Sequence, residues 1–286
     1  MADRIGIIGG SGLYGIRDVE TEELVESGTP FGSPSGPITL GRMGDTGVAF
    51  LPRHGAGHRL MPSEVPFAAN IYALKREGVR TIVAVSAVGS MREDLEPRHF
   101  VVPDQLYDRT KGIRRHTFFG DGVVGHIGFA DPFCGHIRRV LVESAREAGA
   151  TTHDGGTYVC IEGPQFSTKA ESRAYRAMGV DVIGMTAIPE AKLAREAGMC
   201  YATLAMVTDY DVWHESEGEV TVEMVMANMR HNVKLARTTL HGALERLAEA
   251  DLSGCSCRGA GAGSMITPED ARDPETLRKL KTVLEA

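Results

Sequence analysis

Two rhythms of apolar and polar positions alternate along the chain. Short runs rich in Val and Ile that end in small or polar residues (RIGIIGG, VAFLPRHG, TIVAVSAVGS, HFVVPDQLY, GTYVCIEGP, DVIGMT and CYATLAMVTDYD) predict buried strands. Between several of them apolar residues recur at helical spacing. PSEVPFAANIYALKREG sets Val65, Ala69, Tyr72 and Leu74 on or near one face and stops at Gly78, and DPFCGHIRRVLVESAREAG repeats the scheme up to Gly149. STKAESRAYRAMG and TAIPEAKLAREAG predict two more helices, and the longest helix is expected from about Thr221 to about Ala250. Strand and helix in alternation predict a single-domain α/β fold: a mixed, mostly parallel twisted sheet flanked by helices. GCSCRGAGAGSMITPED is Gly-rich and polar, so it predicts a loop, with a short terminal helix from Pro268 onward. No internal repeat appears. The expected division is a catalytic domain over 1–252 and a loop with a helical tail over 253–286.

Composition narrows the function classes. With 42% hydrophobic and 24% charged residues, the 286-residue chain has ordinary globular content and a sizeable core. A net charge of -7 without a Lys/Arg-rich run argues against a nucleic-acid or membrane-surface binder, while leaving room for a local cationic pocket. MADRIGIIGG lacks the parts of a signal peptide, and no apolar stretch reaches the ~18 residues needed to span a bilayer, so a cytoplasmic location is expected. The five cysteines, Cys134, Cys160, Cys200, Cys255 and Cys257, form no C-x-x-C pair and have no histidine at zinc spacing. No metal is expected. Cys134, Cys160 and Cys200 lie in apolar contexts and are expected as buried packing residues.

Candidate chemistry sits at the strand ends. Gly10, Gly12 and Gly15 fit G-x-G-x-x-G, but a dinucleotide fold needs a second parallel strand where this chain has turn chemistry. What survives is either a glycine-rich anion cradle with the Ser11 hydroxyl or a plain tight turn. VAFLP delivers Arg53 and His54, with His58 one turn on; TIVAV ends in Ser86, Ala87, Gly89 and Ser90; DVIGM ends in Thr186. An Arg-His pair is often only a solvated loop, yet ligands of α/β sheets collect at the carboxyl ends of strands, so these donors suggest one shared anion site. CYATLAMVTDYDVW releases Asp209 and Asp211, which period-two alternation places on one side. Two carboxylates there raise one another's pKa, and one can serve as a general acid. The competing reading is a turn or helix-capping acid.

Taken together, IGIIGGSGL, RHGAGH, MPSEVPFAANIYALK, SAVGSMRED, PDQLYDRT, HIGFADPFC, IEGPQFSTKAES, GMTAIPEAKLAREAG and MVTDYDVW resemble, in order, the blocks of the S-methyl-5'-thioadenosine phosphorylases of the trimeric purine nucleoside phosphorylase superfamily. The resemblance covers about Ile5 to about Ala250. It implies a purine nucleoside phosphorylase-like fold and phosphorolysis of S-methyl-5'-thioadenosine to adenine and 5-methylthioribose 1-phosphate, in purine and methionine salvage. Inorganic phosphate is then a cosubstrate, with no cofactor and no metal. The implied phosphate site is Ser11, Arg53, His54, Ser86, Ala87 and Thr186. Phe166 is implied beside the base, Met185 under the ribose, and Asp209 with Asp211 at the purine edge, as the catalytic pair. His126 is implied to reach a neighbouring subunit's methylthio pocket, lined also by Val222 and Val225 from the long helix, and His58 is a further candidate at the same 5' end.

The resemblance further implies a homotrimer, in some members a dimer of trimers. This chain departs from it at Ser11, where threonine is frequent, and at Gly184, where an asparagine also occurs. An aspartate at 209 favours a 6-amino purine; the alternatives are a 6-oxopurine nucleoside or methylthioinosine phosphorylase of the same fold, and a non-catalytic binding module. Thermophilic members carry a C-terminal C-x-C, which leaves a Cys255–Cys257 disulfide as an open alternative to two thiols.

Overall fold

The computed structural model describes residues 3–10, 13, 19–26, 28–214, 222–261 and 263–285. Its strands are β1 (Arg4–Gly9), β2 (Glu20–Val25), β3 (Ile38–Met43), β4 (Thr46–Pro52), β5 (Val79–Ser90), β6 (Phe100–Val102), β7 (Gln105–Arg109), β8 (Thr152–Asp154), β9 (Thr157–Ile161), β10 (Val182–Gly184) and β11 (Cys200–Asp209). The helices are α1 (Phe67–Arg76), α2 (Gly135–Glu147), α3 (Lys169–Ala177), α4 (Ala187–Glu196), α5 (Val222–Glu249) and α6 (Pro274–Leu284). The strands form one mixed sheet in the order β2-β3-β4-β1-β5-β10-β9-β7, with β11 paired to β5 and β6, and β6 to β8.

Alternating side chains bury both faces of this sheet. On the central strands Ile5, Ile7, Val83, Val85, Ala202, Leu204 and Met206 pack under α2 and α5, which contribute Ile137, Leu141, Leu240 and Leu244. Their neighbours Ile8, Ile82, Ala84 and Tyr201 face α1, α4 and α6 through Ile71, Leu74, Leu193, Leu280 and Val283. Each Val, Leu, Ile or Met among them stabilises the fold by about 1.5–3 kcal/mol relative to exposure. α6 thus shares a core with the sheet, and Tyr72 and Thr282 hydroxyls meet at 2.9 Å.

Three differences from the sequence reading have physical causes. β2 was not expected because ETEELV carries exposed charge instead of an apolar run; it is an edge strand held to β3 by backbone pairing. HFVVPDQLY is two strands, β6 and β7, interrupted at Pro103, which has no N–H for a ladder. SAVGS does not lie beyond a strand end; β5 continues through Ser90 because β10 and β11 pair with it there.

Candidate active site

The pocket arises from a fork in the sheet. On one edge, β5 pairs in parallel with β1 as far as Ala84, and antiparallel with β10 from Gly89. No described strand covers that edge between them. Residues 85–88 therefore face a cavity of about 270 Å³, closed by the ends of β4, β10 and β11 and by one side of α5. Arg53, His54, His58, Ser86, Ala87, Phe166, Met185, Thr186, Asp209, Asp211 and Val225 all line it, so residues far apart in sequence meet at one cavity, some at strand ends and others inside β5 or on α5. Ser11 lies outside the described residues.

One end of the cavity suits an anion. Thr186 lines the cavity just ahead of α4, whose backbone leaves helical geometry at Ile188, and its side chain makes no capping bond. Ser86 Oγ is buried without a well-formed hydrogen bond. The His54 Nδ1 lies 2.8 Å from the Leu60 carbonyl, which can only accept, so Nδ1 carries the proton and Nε2 is an acceptor in the neutral ring. Burial, reinforced by Arg53, pulls the His54 pKa down to about 4, so the ring is neutral near pH 7; it stacks on His58 at 4.2 Å.

Arg53 corrects the picture of a strand-end cation offered outright to phosphate. Its side chain is 2% exposed. Nε and Nη2 grip Glu190 at 2.8 and 2.9 Å, Nη1 donates to the Val85 carbonyl at 2.9 Å, and Nη2 reaches the Ile8 carbonyl at 3.4 Å. Of the five guanidinium protons, one on Nη1 remains uncommitted among the described residues. Tyr201 also donates to Glu190, at 2.9 Å. Glu190 was missed by the sequence reading, although an acid between Ala187 and Ala194 on the apolar face of α4 is a readable signal of a buried partner. A second such pair, Arg114 with Glu162 at 2.6 Å, donates from Arg114 to the carbonyls of Met185 and Ile188 at 2.7 Å each and so fixes the segment carrying Met185 and Thr186.

The opposite end carries the acids. Asp209 closes β11, and Asp211 follows in a turn at φ +53°; the turn, not period-two alternation, brings both to the cavity. The Asp211 amide donates to Asp209 Oδ1 at 2.9 Å, and Thr208 donates to Oδ2 at 2.7 Å. Burial raises the Asp209 pKa to about 6, with Asp211 a lesser contributor, and burial also raises that of Asp211. Desolvation therefore leads, where the sequence argued from mutual repulsion. A Cβ on Gly89 would stand 2.9 Å from Asp209 Oδ1, so glycine is what lets the carboxylate cross β5. Asp211 Oδ2 and Ser167 Oγ, which face one another, and Ser86 Oγ, which faces the Tyr158 hydroxyl, are buried without a well-formed hydrogen bond, and all three residues line the cavity. Such a concentration marks polar groups kept for a ligand.

Phe166, Met185, Met206, Val225 and Met229 supply the apolar walls. Val222 does not line the cavity; one turn before Val225 on α5, it is 63% exposed. His126 is exposed, also away from the cavity of its own chain, its amide bonded to the Ser264 carbonyl at 2.8 Å. Gly184 has a concrete explanation: a Cβ there would lie 2.0 Å from the buried Tyr158 hydroxyl. An asparagine at 184 is incompatible with Tyr158 in this position. Gly184→Ala should cost about 1–3 kcal/mol through overpacking, and adding Tyr158→Phe should recover part of it; a melting curve of the double variant no better than that of the single one would refute this account.

A forked, helix-flanked sheet thus gathers buried hydroxyls and a buried acid around one cavity, and likeness to known proteins gives the class of protein that carries it. Residues 4–245 match the Phosphorylase superfamily. An S-methyl-5'-thioadenosine phosphorylase of Geobacter sulfurreducens is 49% identical over 284 residues, 99% of each chain. One from Chloroflexus aurantiacus is 56% identical over 245 residues, 86% of this chain and 85% of its own. The crystal structure of a methylthioadenosine phosphorylase from an antarctic soil metagenomic library superposes with a TM-score of 0.93 at 47% identity, covering 99% of both chains. A methylthioadenosine phosphorylase from Schistosoma mansoni, in complex with adenine, gives 0.87 at 37% identity over 92% of this chain and 99% of its own. The chain belongs to this superfamily, in its family of S-methyl-5'-thioadenosine phosphorylases.

Proposed function

We propose that the pocket phosphorolyses S-methyl-5'-thioadenosine, yielding adenine and 5-methylthioribose 1-phosphate. One observation carries this reading: a buried acid and a set of hydroxyls without well-formed hydrogen bonds line a single cavity with apolar walls. Ser86, the Ala87 amide, Thr186 and the remaining Arg53 proton take the phosphate, with Ser11 as the further donor that the sequence implies. Neutral His54 offers Nε2 to a P–OH of hydrogen phosphate, pairing acceptor with donor. The C1'–N9 bond breaks as a phosphate oxygen bonds to C1', and the ribose passes through a cationic transition state. Protonated Asp209 donates to N7, so the base leaves without a full negative charge, while its second oxygen accepts from the 6-amino group. Asp211 holds the Asp209 carboxylate through its amide.

Val225 and Met229 form a wall suited to a methylthio group better than to a hydroxyl. His126 and Val222 complete that wall from a neighbouring subunit of a homotrimer, or of a dimer of trimers; their exposure, shared with nearby Val124, supports the contact. Among the described residues no helix is long and apolar enough to cross a membrane, and the proposed setting is cytoplasmic. Phosphate is the cosubstrate and no organic cofactor is involved. Base release from S-methyl-5'-thioadenosine, adenosine and inosine, with and without phosphate, tests the reading. Phosphate-dependent adenine release, fastest from S-methyl-5'-thioadenosine, is expected; a preference for inosine, or hydrolysis without phosphate, would overturn it.

A further inference from the structure

The fold gathers what the sequence scatters. Cys134 precedes α2, Cys200 opens β11, and Cys255 and Cys257 lie in the Gly-rich loop after α5, yet their four sulfurs lie within 4.8 Å of one another. Cys134, Cys200 and Cys257 are buried and Cys255 is partly so, while Cys160 stands apart. None of the five is joined in a disulfide. The Cys134 and Cys255 sulfurs are 3.7 Å apart. A zinc–sulfur bond of about 2.3 Å gives a tetrahedron whose edge is about 3.8 Å, whereas a disulfide needs about 2.05 Å.

We propose that Cys134, Cys200, Cys255 and Cys257 form a tetrahedral thiolate site for zinc that fastens the Gly-rich loop to the sheet. This revises the expectation of no metal, which rested on the missing C-x-x-C spacing; the loop supplies a C-x-C pair, and the long-range fold supplies the other two ligands. Four thiols release their protons as the ion binds, leaving a complex of net charge -2. The surroundings answer that charge. The amides of His136 and Ile137, in the first turn of α2, point at the Cys134 sulfur. Arg195 lies near Cys257, and Arg258 lies against Cys200 with its Nε buried and unpartnered, a donor that a thiolate sulfur would satisfy. A surface cleft lined by Cys134, Cys255, Cys257 and Arg195 gives the ion a way in.

The test uses the full-length protein, expressed with zinc, purified without chelator and freed of loose metal by gel filtration. Elemental analysis should find about one zinc per chain. Mercurial titration should release it in step with the four thiols, and Co(II) exchange should give the thiolate charge-transfer and visible bands of a tetrahedral site. Cys255→Ser, at the least buried ligand, should weaken zinc retention at least tenfold with phosphorolysis retained. If that variant does not fold, metal content and the Co(II) spectrum of the wild type decide alone. Four free thiols with no retained zinc after loading, or disulfides mapped among these residues in metal-exposed protein, would overturn the site.

Discussion

Asp209→Asn should lower kcat/KM for S-methyl-5'-thioadenosine by about 10²- to 10⁴-fold, the range for a lost general acid. The wild-type profile should fall as pH rises through about 6, where burial has placed this carboxyl and where the free enzyme loses the proton it must give to N7. The asparagine variant should lack that limb. Turnover of 6-oxopurine nucleosides should suffer less, because an amide can donate to a 6-oxo group where an ionised acid repels it. A variant keeping the limb, or losing equally on both bases, would remove Asp209 from the role.

The same substitution has a stability signature of opposite sign. Asp209 has a folded pKa above its unfolded value, so its stabilising contribution is complete below the unfolded value near 3.8 and is lost as pH rises through about 6. Asparagine has no such loss. Thr208 can still donate to the Val88 carbonyl at 3.2 Å, and the Asp211 amide can still find an oxygen. The melting temperature of the variant relative to wild type should therefore improve between about pH 4 and about pH 8, even as activity collapses. A buried acid thus trades stability for function.

Why was this acid's place legible in the sequence and the partner of Glu190 not? Asp209 follows an unbroken apolar strand, so its position at a carboxyl end could be inferred from period and length alone. The same reasoning placed Arg53 and Thr186, because a strand end fixes where a side chain emerges, whereas Ser86 lies inside β5 and meets the cavity only because the sheet forks there. A strand end does not fix which partner the side chain meets. Arg53 turns inward because α4 brings Glu190 to it across the sheet, 137 positions along the chain. Such a pairing depends on packing, not on local pattern. The fork that makes the pocket was hidden for the same reason: nothing in TIVAVSAVGS records that β1 leaves one edge at Ala84 and β10 returns to it at Gly89. The edge strand β2 escaped detection because backbone pairing, rather than burial, holds it. The cysteine cluster was invisible because only the tertiary fold brings Cys134 and Cys200 to the C-x-C loop.

Glu190→Ala should be the most damaging single change to the fold, costing about 3–5 kcal/mol, since it leaves the Arg53 charge buried and uncompensated. Glu190 is 1% exposed and holds both Arg53 and the Tyr201 hydroxyl, so the loss removes three hydrogen bonds at once. Instability alone would not separate a scaffold from a site. The double variant Arg53→Met with Glu190→Leu does separate them: apolar side chains of similar length remove both charges together, which for buried pairs is often neutral or stabilising. Its melting temperature should return close to that of wild type, while kcat/KM should stay at least about 100-fold down with a raised KM for phosphate, because the last guanidinium proton and the charge behind it are gone. A double variant as unstable as Glu190→Ala would mean the pair is not what this region of the core depends on. One that recovered both stability and phosphate affinity would remove Arg53 from the anion site, since neutral donors such as Ser86 and Thr186 would then hold a dianion in a closed cavity without any cation.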